Sequence, residues 1–277
     1  VTCTPNPLLH PRRVLARIVM QTLESSRPRK RLGQSFLVDP RGFQVFRKGI
    51  DSVGCADTIM ELGSGPGLLS MLILNSCNGK LLSVEVDRWL AFASWRNLGC
   101  NGRVQVLVGD GVPLIGMTRL LVSNTPYHLT GRIIAEAARS GALPEKMVLG
   151  MQSEVAERVV ARPGSRNYGR LTVISKLFFE VEKVGVLDRR WFTPTPKVDG
   201  AVLAFRRRLR WEEWMEGFEA FTACIFSQRN RLADKVLARC LSTSRDAFRD
   251  LAGFRVRDLQ PETILEVYRE WALGAYS

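Results

Sequence analysis

Histidine is almost absent from the 277-residue sequence: only His10 and His128 occur, which argues against a histidine metal centre and against a Ser-His-Asp triad. The six cysteines (Cys3, Cys55, Cys77, Cys100, Cys224 and Cys240) never fall in the close pairs that zinc ribbons and Cys-x-x-Cys redox motifs need. They are expected to be buried small hydrophobes, with no metal bound. No stretch approaches the ~18 consecutive apolar residues of a membrane span. The N-terminal run Val14 to Met20 is broken by Arg17 and has no small-residue cleavage site after it. A soluble, intracellular, cytoplasmic protein with no membrane partner is therefore expected. Acidic charge is also scarce, since Asp+Glu 27 against Lys+Arg 40 leaves a net +13, a balance that favours a polyanionic partner. Only eight of those cations are lysine, so an arginine-rich composition bias accounts for the charge about as well.

There is no internal repeat and no low-complexity tract. Residues 1–31 form a Pro-punctuated tail with a short helix expected from Val14 to Glu24 and a basic run at Arg27–Arg31, either a solvated linker or a phosphate-contacting arm. Asp39 as N-cap and Pro40 at the first helical position then start a helix to about Ile50. From Thr58 onward apolar strand-like runs alternate with helical patterns, the signature of a mainly parallel α/β sheet. Composition shifts at Arg206–Arg210, where Trp211, Trp214, Met215, Phe218, Phe221 and Ile225 begin an aromatic stripe at helical spacing. The expected organisation is a tail (1–31), an α/β domain (32–208) and a small all-helical C-terminal domain (209–277).

Chemistry-bearing residues fall at the ends of successive expected strands, where open parallel sheets bind ligands. Thr58 to Leu62 carries Glu61 and runs into Gly63-Ser-Gly65-Pro-Gly67 and then a helix, so the backbone can approach a ligand that a Cβ would block. This G-x-G-x-G spacing differs from the dinucleotide fingerprint and tilts toward an adenosyl ligand without a pyrophosphate. Glu85 ends the second strand and suits two ribose hydroxyls; Asp110-Gly111 follow the third, where Asp110 is placed to accept from an adenine amine. Asn124-Thr125-Pro126-Tyr127 follows the fourth. There the Asn124 side-chain oxygen and the Thr125 carbonyl accept two hydrogens of an exocyclic amine, Pro126 fixes the turn, and Tyr127 stacks on the base. Phe192, in a segment stiffened by Pro194 and Pro196, is the candidate for the opposite face. Arg162, Arg166 and Arg170, interleaved with Tyr168, together with Arg206, Arg207, Arg229 and Arg231, are candidate RNA contacts.

With these motifs in order, the chain resembles the ribosomal RNA adenine dimethyltransferases, which modify two adjacent adenines near the end of small-subunit RNA, and their large-subunit resistance-methylase relatives. The resemblance runs from Leu32 to about Leu237 through Leu-Gly-Gln-Ser-Phe-Leu37, Glu-Leu-Gly-Ser-Gly-Pro-Gly67, Glu85, Gly-Asp110, Asn-Thr-Pro-Tyr127, Tyr-Gly-Arg-Leu-Thr172 and Phe192-x-Pro-x-Pro-Lys-Val198. Thr125 stands where the family usually has a larger apolar residue, and Ser35 where Asn or His is common. The resemblance implies a Rossmann-like seven-stranded S-adenosylmethionine-dependent methyltransferase sheet with a helical C-terminal domain. It further implies that Gln34, Phe36, Leu37, Glu61, Gly63, Gly65, Glu85, Asp110, Gly111 and Asn124 hold S-adenosylmethionine, and that Asn124 to Tyr127 with Phe192 hold the target adenine. The partner it implies is ribosomal RNA in the assembling small subunit, met by a monomer. Two alternatives stay open: an adenine N6-methyltransferase acting on large-subunit RNA, and a non-catalytic nucleic-acid-binding assembly or transcription factor on the same fold.

Overall fold

The computed structural model of the chain describes residues 6–25, 35–99, 101–124, 126 and 128–274. Gln34, Thr125, Tyr127, the basic run Arg27–Arg31, Cys3 and Cys100 lie outside the described residues. The described chain divides into two compact units, one of Val1–Ala156 with Val181–Arg207, the other of Glu157–Glu180 with Arg208–Ser277.

In the first unit, helix α1 (Arg12–Ser25) puts Leu15 and Val19 into the apolar core, and a two-residue strand β1 (Phe36–Leu37) precedes α2 (Pro40–Val53). Asp39 caps α2 as the sequence predicts, accepting the Arg41 N–H at 3.0 Å, with Pro40 fixing the first turn. Then follow β2 (Thr58–Leu62), α3 (Leu68–Ser76), β3 (Lys80–Glu85), α4 (Arg88–Leu98), β4 (Val104–Val108), β5 (Leu120–Asn124), α5 (Thr130–Arg139) and β6 (Lys146–Gln152). After β6 come α6 (Ser153–Val159), α7 (Arg170–Phe178), β7 (Phe179–Leu187), the short β8 (Phe192–Thr193) and β9 (Gly200–Arg207). The seven-stranded sheet has the order β4-β3-β2-β5-β6-β9-β7. Its neighbours from β4 to β6 run parallel, and β9 pairs antiparallel with β6. The central strands β2, β5 and β6 are nearly continuous buried apolar runs, as parallel strands covered on both faces must be.

The second unit takes Glu157–Glu180, including α7, together with α8 (Phe218–Phe226), α9 (Ala233–Cys240) and α10 (Pro261–Ala272). The aromatic stripe is not one helix. Gly217 at φ 85° interrupts it, so Trp214 and Met215 sit in a single 3-10 turn and α8 begins only at Phe218. Phe218 and Phe221 then pack on Tyr268 of α10, both at 5.2 Å between centroids.

Two sequence expectations are overturned. Cys55 is bonded to Cys77 and Cys224 to Cys240, with Cα separations of 5.5 and 6.0 Å, so these four are cystines and not isolated buried thiols. Tyr168 is fully buried and donates its hydroxyl to the Leu259 carbonyl at 2.7 Å, so it anchors its loop to the helical core and offers no face for stacking.

Candidate active site

Parallel register brings the predicted residues to one edge. Glu61 lies beside Ser83 of β3 and Val122 of β5, Glu85 beside Val108 of β4, and Asn124 beside Gly150 of β6. The loop between β2 and α3 turns through Gly63, Gly65 and Gly67 at φ 77°, 53° and 87°, conformations open to glycine at little cost. A Cβ on Gly65 would sit 2.9 Å from the Phe36 ring, so that ring packs directly on the loop. The antiparallel pairing of β1 with β8 holds Phe36 opposite Thr193 and Leu37 opposite Phe192.

Between these elements lies a cavity of about 350 Å³, within the size range of small-molecule sites. Phe36, Leu37, Glu61, Gly63, Gly65, Glu85, Asp110, Gly111, Asn124, Pro126 and Phe192 all line it. Phe192 is more enclosed than a free stacking surface: it is 3% exposed and part of the apolar core while still bordering the cavity.

The glycine loop is fixed by the carboxylate expected to meet a ribose. Glu85 Oε2 accepts the Gly65 N–H at 2.9 Å, and Oε1 accepts the Asp87 N–H at 3.0 Å. Each oxygen keeps a lone-pair site for a hydroxyl donor. Glu61, 1% exposed, accepts from the Ser70 hydroxyl. Neither carboxylate has an ion-pair partner among the described residues, and Ser64 Oγ in the same loop is buried with no hydrogen-bond partner. Two buried acids without a counter-charge, an orphaned hydroxyl and a loop opened by glycines fit a cationic, hydroxyl-bearing nucleoside, and S-adenosylmethionine has that chemistry.

Burial pushes the Glu61 carboxyl up to about 8, with the Ser70 hydroxyl opposing and the Glu85 charge assisting. Burial also raises Glu85, against the Asp87 and Gly65 N–H groups that favour its charge. An acid whose folded pKa lies above its unfolded value keeps its proton longer in the native state. Stability of the ligand-free protein should therefore fall as pH rises from the ordinary carboxyl value of 4.5 through about 8. Glu61→Gln removes that titration, and calorimetric melting of the ligand-free variant should show a gain of several degrees at about pH 8 and almost none at about pH 5. Equal shifts at both pH values would discount a buried titrating Glu61.

Three features of the site escape the sequence reasoning. Asp110 accepts the Val112 N–H on Oδ1 and pairs through Oδ2 with Arg132 at 3.0 Å, so a cation on α5 borders the cavity beside the expected adenine acceptor. Ser123 donates to the Leu62 carbonyl at 2.7 Å, tying the end of β5 to the end of β2. Gly150 gives room to Asn124, because a Cβ there would lie 3.0 Å from Asn124 Oδ1 and 2.7 Å from the Phe46 ring. A glycine inside a strand pattern signals such a close approach. Gly150→Ala should displace the Asn124 amide and lower kcat roughly tenfold or more; single-turnover kinetics with an unchanged rate would exclude the crowding.

Of the candidate RNA-contacting arginines, Arg162, Arg166, Arg170 and Arg231 are exposed in the helical unit, where Arg229 donates to the Ser165 carbonyl at 3.0 Å. In the α/β unit Arg206 donates to the Ser52 carbonyl. Arg207 is a correction: its guanidinium donates to Ala137 and Ala138 at the end of α5 and to Leu143 and Pro144, the latter at 3.0 Å. It satisfies helix-terminal carbonyls that would otherwise lack donors, which occupies it structurally.

The family profile described as ribosomal RNA adenine dimethylase matches residues 25–273. A probable ribosomal RNA small subunit methyltransferase A from Aeropyrum pernix is 37% identical over 210 residues, covering 74% of each chain. A ribosomal RNA small subunit methyltransferase A from Acidobacterium capsulatum is 30% identical over 261 residues, covering 88% of this chain and 92% of that one. Among solved structures, a dimethyladenosine transferase from Plasmodium falciparum has the same fold at TM-score 0.69 and 22% identity, over 81% of this chain and 94% of that one. The 23S rRNA methyltransferase ErmE aligns at TM-score 0.62 and 25% identity, over 85% and 99%.

Proposed function

The chain belongs to the ribosomal RNA adenine dimethylase family and is a methyltransferase, and from that premise we propose that it uses S-adenosylmethionine to dimethylate N6 of two adjacent adenines near the 3′ end of small-subunit ribosomal RNA. The observation that carries this reading is the single cavity edge that holds Glu61, the glycine loop, Glu85, Asp110 and Asn124 together. Small-subunit RNA is favoured over large-subunit RNA by the names of the two relatives described above.

When bound, S-adenosylmethionine supplies a methyl group activated by its sulfonium. The protein's task is to orient the amine, with no metal and no strong base needed, because the amine loses its proton after it attacks. Glu85 offers acceptors to the ribose hydroxyls, and Asp110 offers one to the adenine amine of the donor. Buried Glu85 would face the ligand's positive charge, and that charge would favour ionisation of Glu61, which burial holds largely protonated in the empty site. Asn124 Oδ1 accepts one hydrogen of the target amine and the Thr125 carbonyl the other, which leaves the nitrogen lone pair directed at the methyl group. Tyr127 and Phe192 hold the base, offsetting the few kcal/mol lost when it leaves its stack. Exposed arginines Arg162, Arg166, Arg170 and Arg231 would add phosphate contacts.

Incubating the protein with labelled S-adenosylmethionine and separated small-subunit RNA, large-subunit RNA and DNA tests the proposal. Mass spectrometry should find dimethyladenosine in the small-subunit RNA alone. Label in large-subunit RNA would move the substrate, and no turnover on any of the three would favour a binding role.

A further inference from the structure

Helix α4 presents an unusual outer face. Trp89, Phe92 and Trp95 are 47%, 54% and 55% exposed, and Arg88 and Arg96 are exposed beside them. At about 100° per residue these five positions share an arc of roughly 120°. Leu90, Ala91, Ser94 and Leu98, which pack the helix onto the sheet, lie on the opposite side. The rings are already arranged for stacking: Phe92 and Trp95 lie 5.8 Å apart at 24° between planes, and the Arg88 guanidinium sits 4.8 Å over the Trp89 ring. A face of this kind on a soluble surface marks an interaction site. It begins next to Val86, which is 59% exposed and borders the cavity.

The charge of the neighbourhood selects the occupant. From Lys80 to Ile115 the acids are Glu85 and Asp87, both buried, and Asp110, which is paired with Arg132. No ion pair among the described residues engages Arg88 or Arg96. Flat rings and planar guanidinium groups, with no exposed carboxylate on the helix, match a polyanion that carries unpaired planar bases. We propose that the outer face of α4 is a stacking platform for single-stranded RNA flanking the target adenine, on the side of the cavity where Val86 opens. The proposal rests on the RNA-methyltransferase reading above and adds to it a surface from which the substrate strand is gripped.

The test uses the full chain and a fluorescently labelled single-stranded oligoadenylate of about ten nucleotides, within the span of known stacking grooves. The variant Trp89→Ala/Phe92→Ala/Trp95→Ala should weaken its binding at least about tenfold with an unchanged melting curve. Trp89→Phe/Trp95→Phe, which keeps the rings, should bind like the wild type. Equal affinity of the alanine variant would overturn the platform. So would sedimentation showing a wild-type dimer that the alanine variant loses, because the face would then join two copies. Methyl transfer to small-subunit RNA is measured in parallel on the wild type. Absent transfer with the oligonucleotide effect intact would remove the activity reading and leave the platform standing.

Discussion

Asn124→Ala should cut methyl transfer to small-subunit RNA by at least about a hundredfold, while calorimetric affinity for S-adenosylhomocysteine stays close to that of the wild type. The asymmetry follows from position. Asn124 closes β5 beside Gly150, and Ser123 ties the same strand end to β2. Its carboxamide borders the cavity without holding the glycine loop, whose anchor is Glu85. Removing Oδ1 therefore takes away an acceptor for the reacting amine and leaves the donor's cradle in place. Transfer by the variant at the wild-type rate would withdraw Asn124 from the chemistry.

Glu85→Ala should do the reverse and weaken S-adenosylhomocysteine binding by about tenfold to a hundredfold, the scale of losing hydrogen bonds to a charged group. The carboxylate accepts from Gly65 and from Asp87, so truncation also frees two backbone donors and loosens the loop against which Phe36 packs. Glu85→Gln separates the two roles. It keeps the size but supplies one acceptor oxygen where the native group has two, so an intermediate affinity is expected. Calorimetry giving wild-type affinity for both variants would remove the ribose contact from the account.

Much of this site is legible in the sequence because an α/β sheet has few places to put chemistry. Apolar runs too short for membrane spans and separated by helical periods imply parallel strands, and whatever polar residues end those runs share an edge. Glu61, Glu85, Asp110 and Asn124 were found that way, as were the cap at Asp39 and the loop glycines. What stayed hidden depends on partners distant in sequence. Arg132 acquires meaning from Asp110, 22 residues earlier, and Tyr168 is placed by a carbonyl at Leu259, 91 residues later. Cystines separated by 22 and 16 residues leave no local spacing signal, since bridging requires only that the folded Cα atoms approach. The stripe at Trp211 to Ile225 does supply core residues, Met215, Phe218, Phe221 and Ile225, but one left-handed glycine that its helical spacing does not reveal divides it into a turn and a helix.

The bond between Cys55 and Cys77 spans β2, the glycine loop and α3, joining the residue three before the strand to the residue just after the helix. The segment proposed to cradle the donor is thereby a closed covalent ring, sealed at the end remote from the cavity. Fraying of α3 from its C-terminus cannot unthread the ring, and the opened loop retains far fewer conformations than a linear segment of the same length. Amide exchange across Gly63 to Gly67 should accordingly quicken when the ring is cut by reduction, linking the endurance of a ligand cradle to a bond at the far end of its helix.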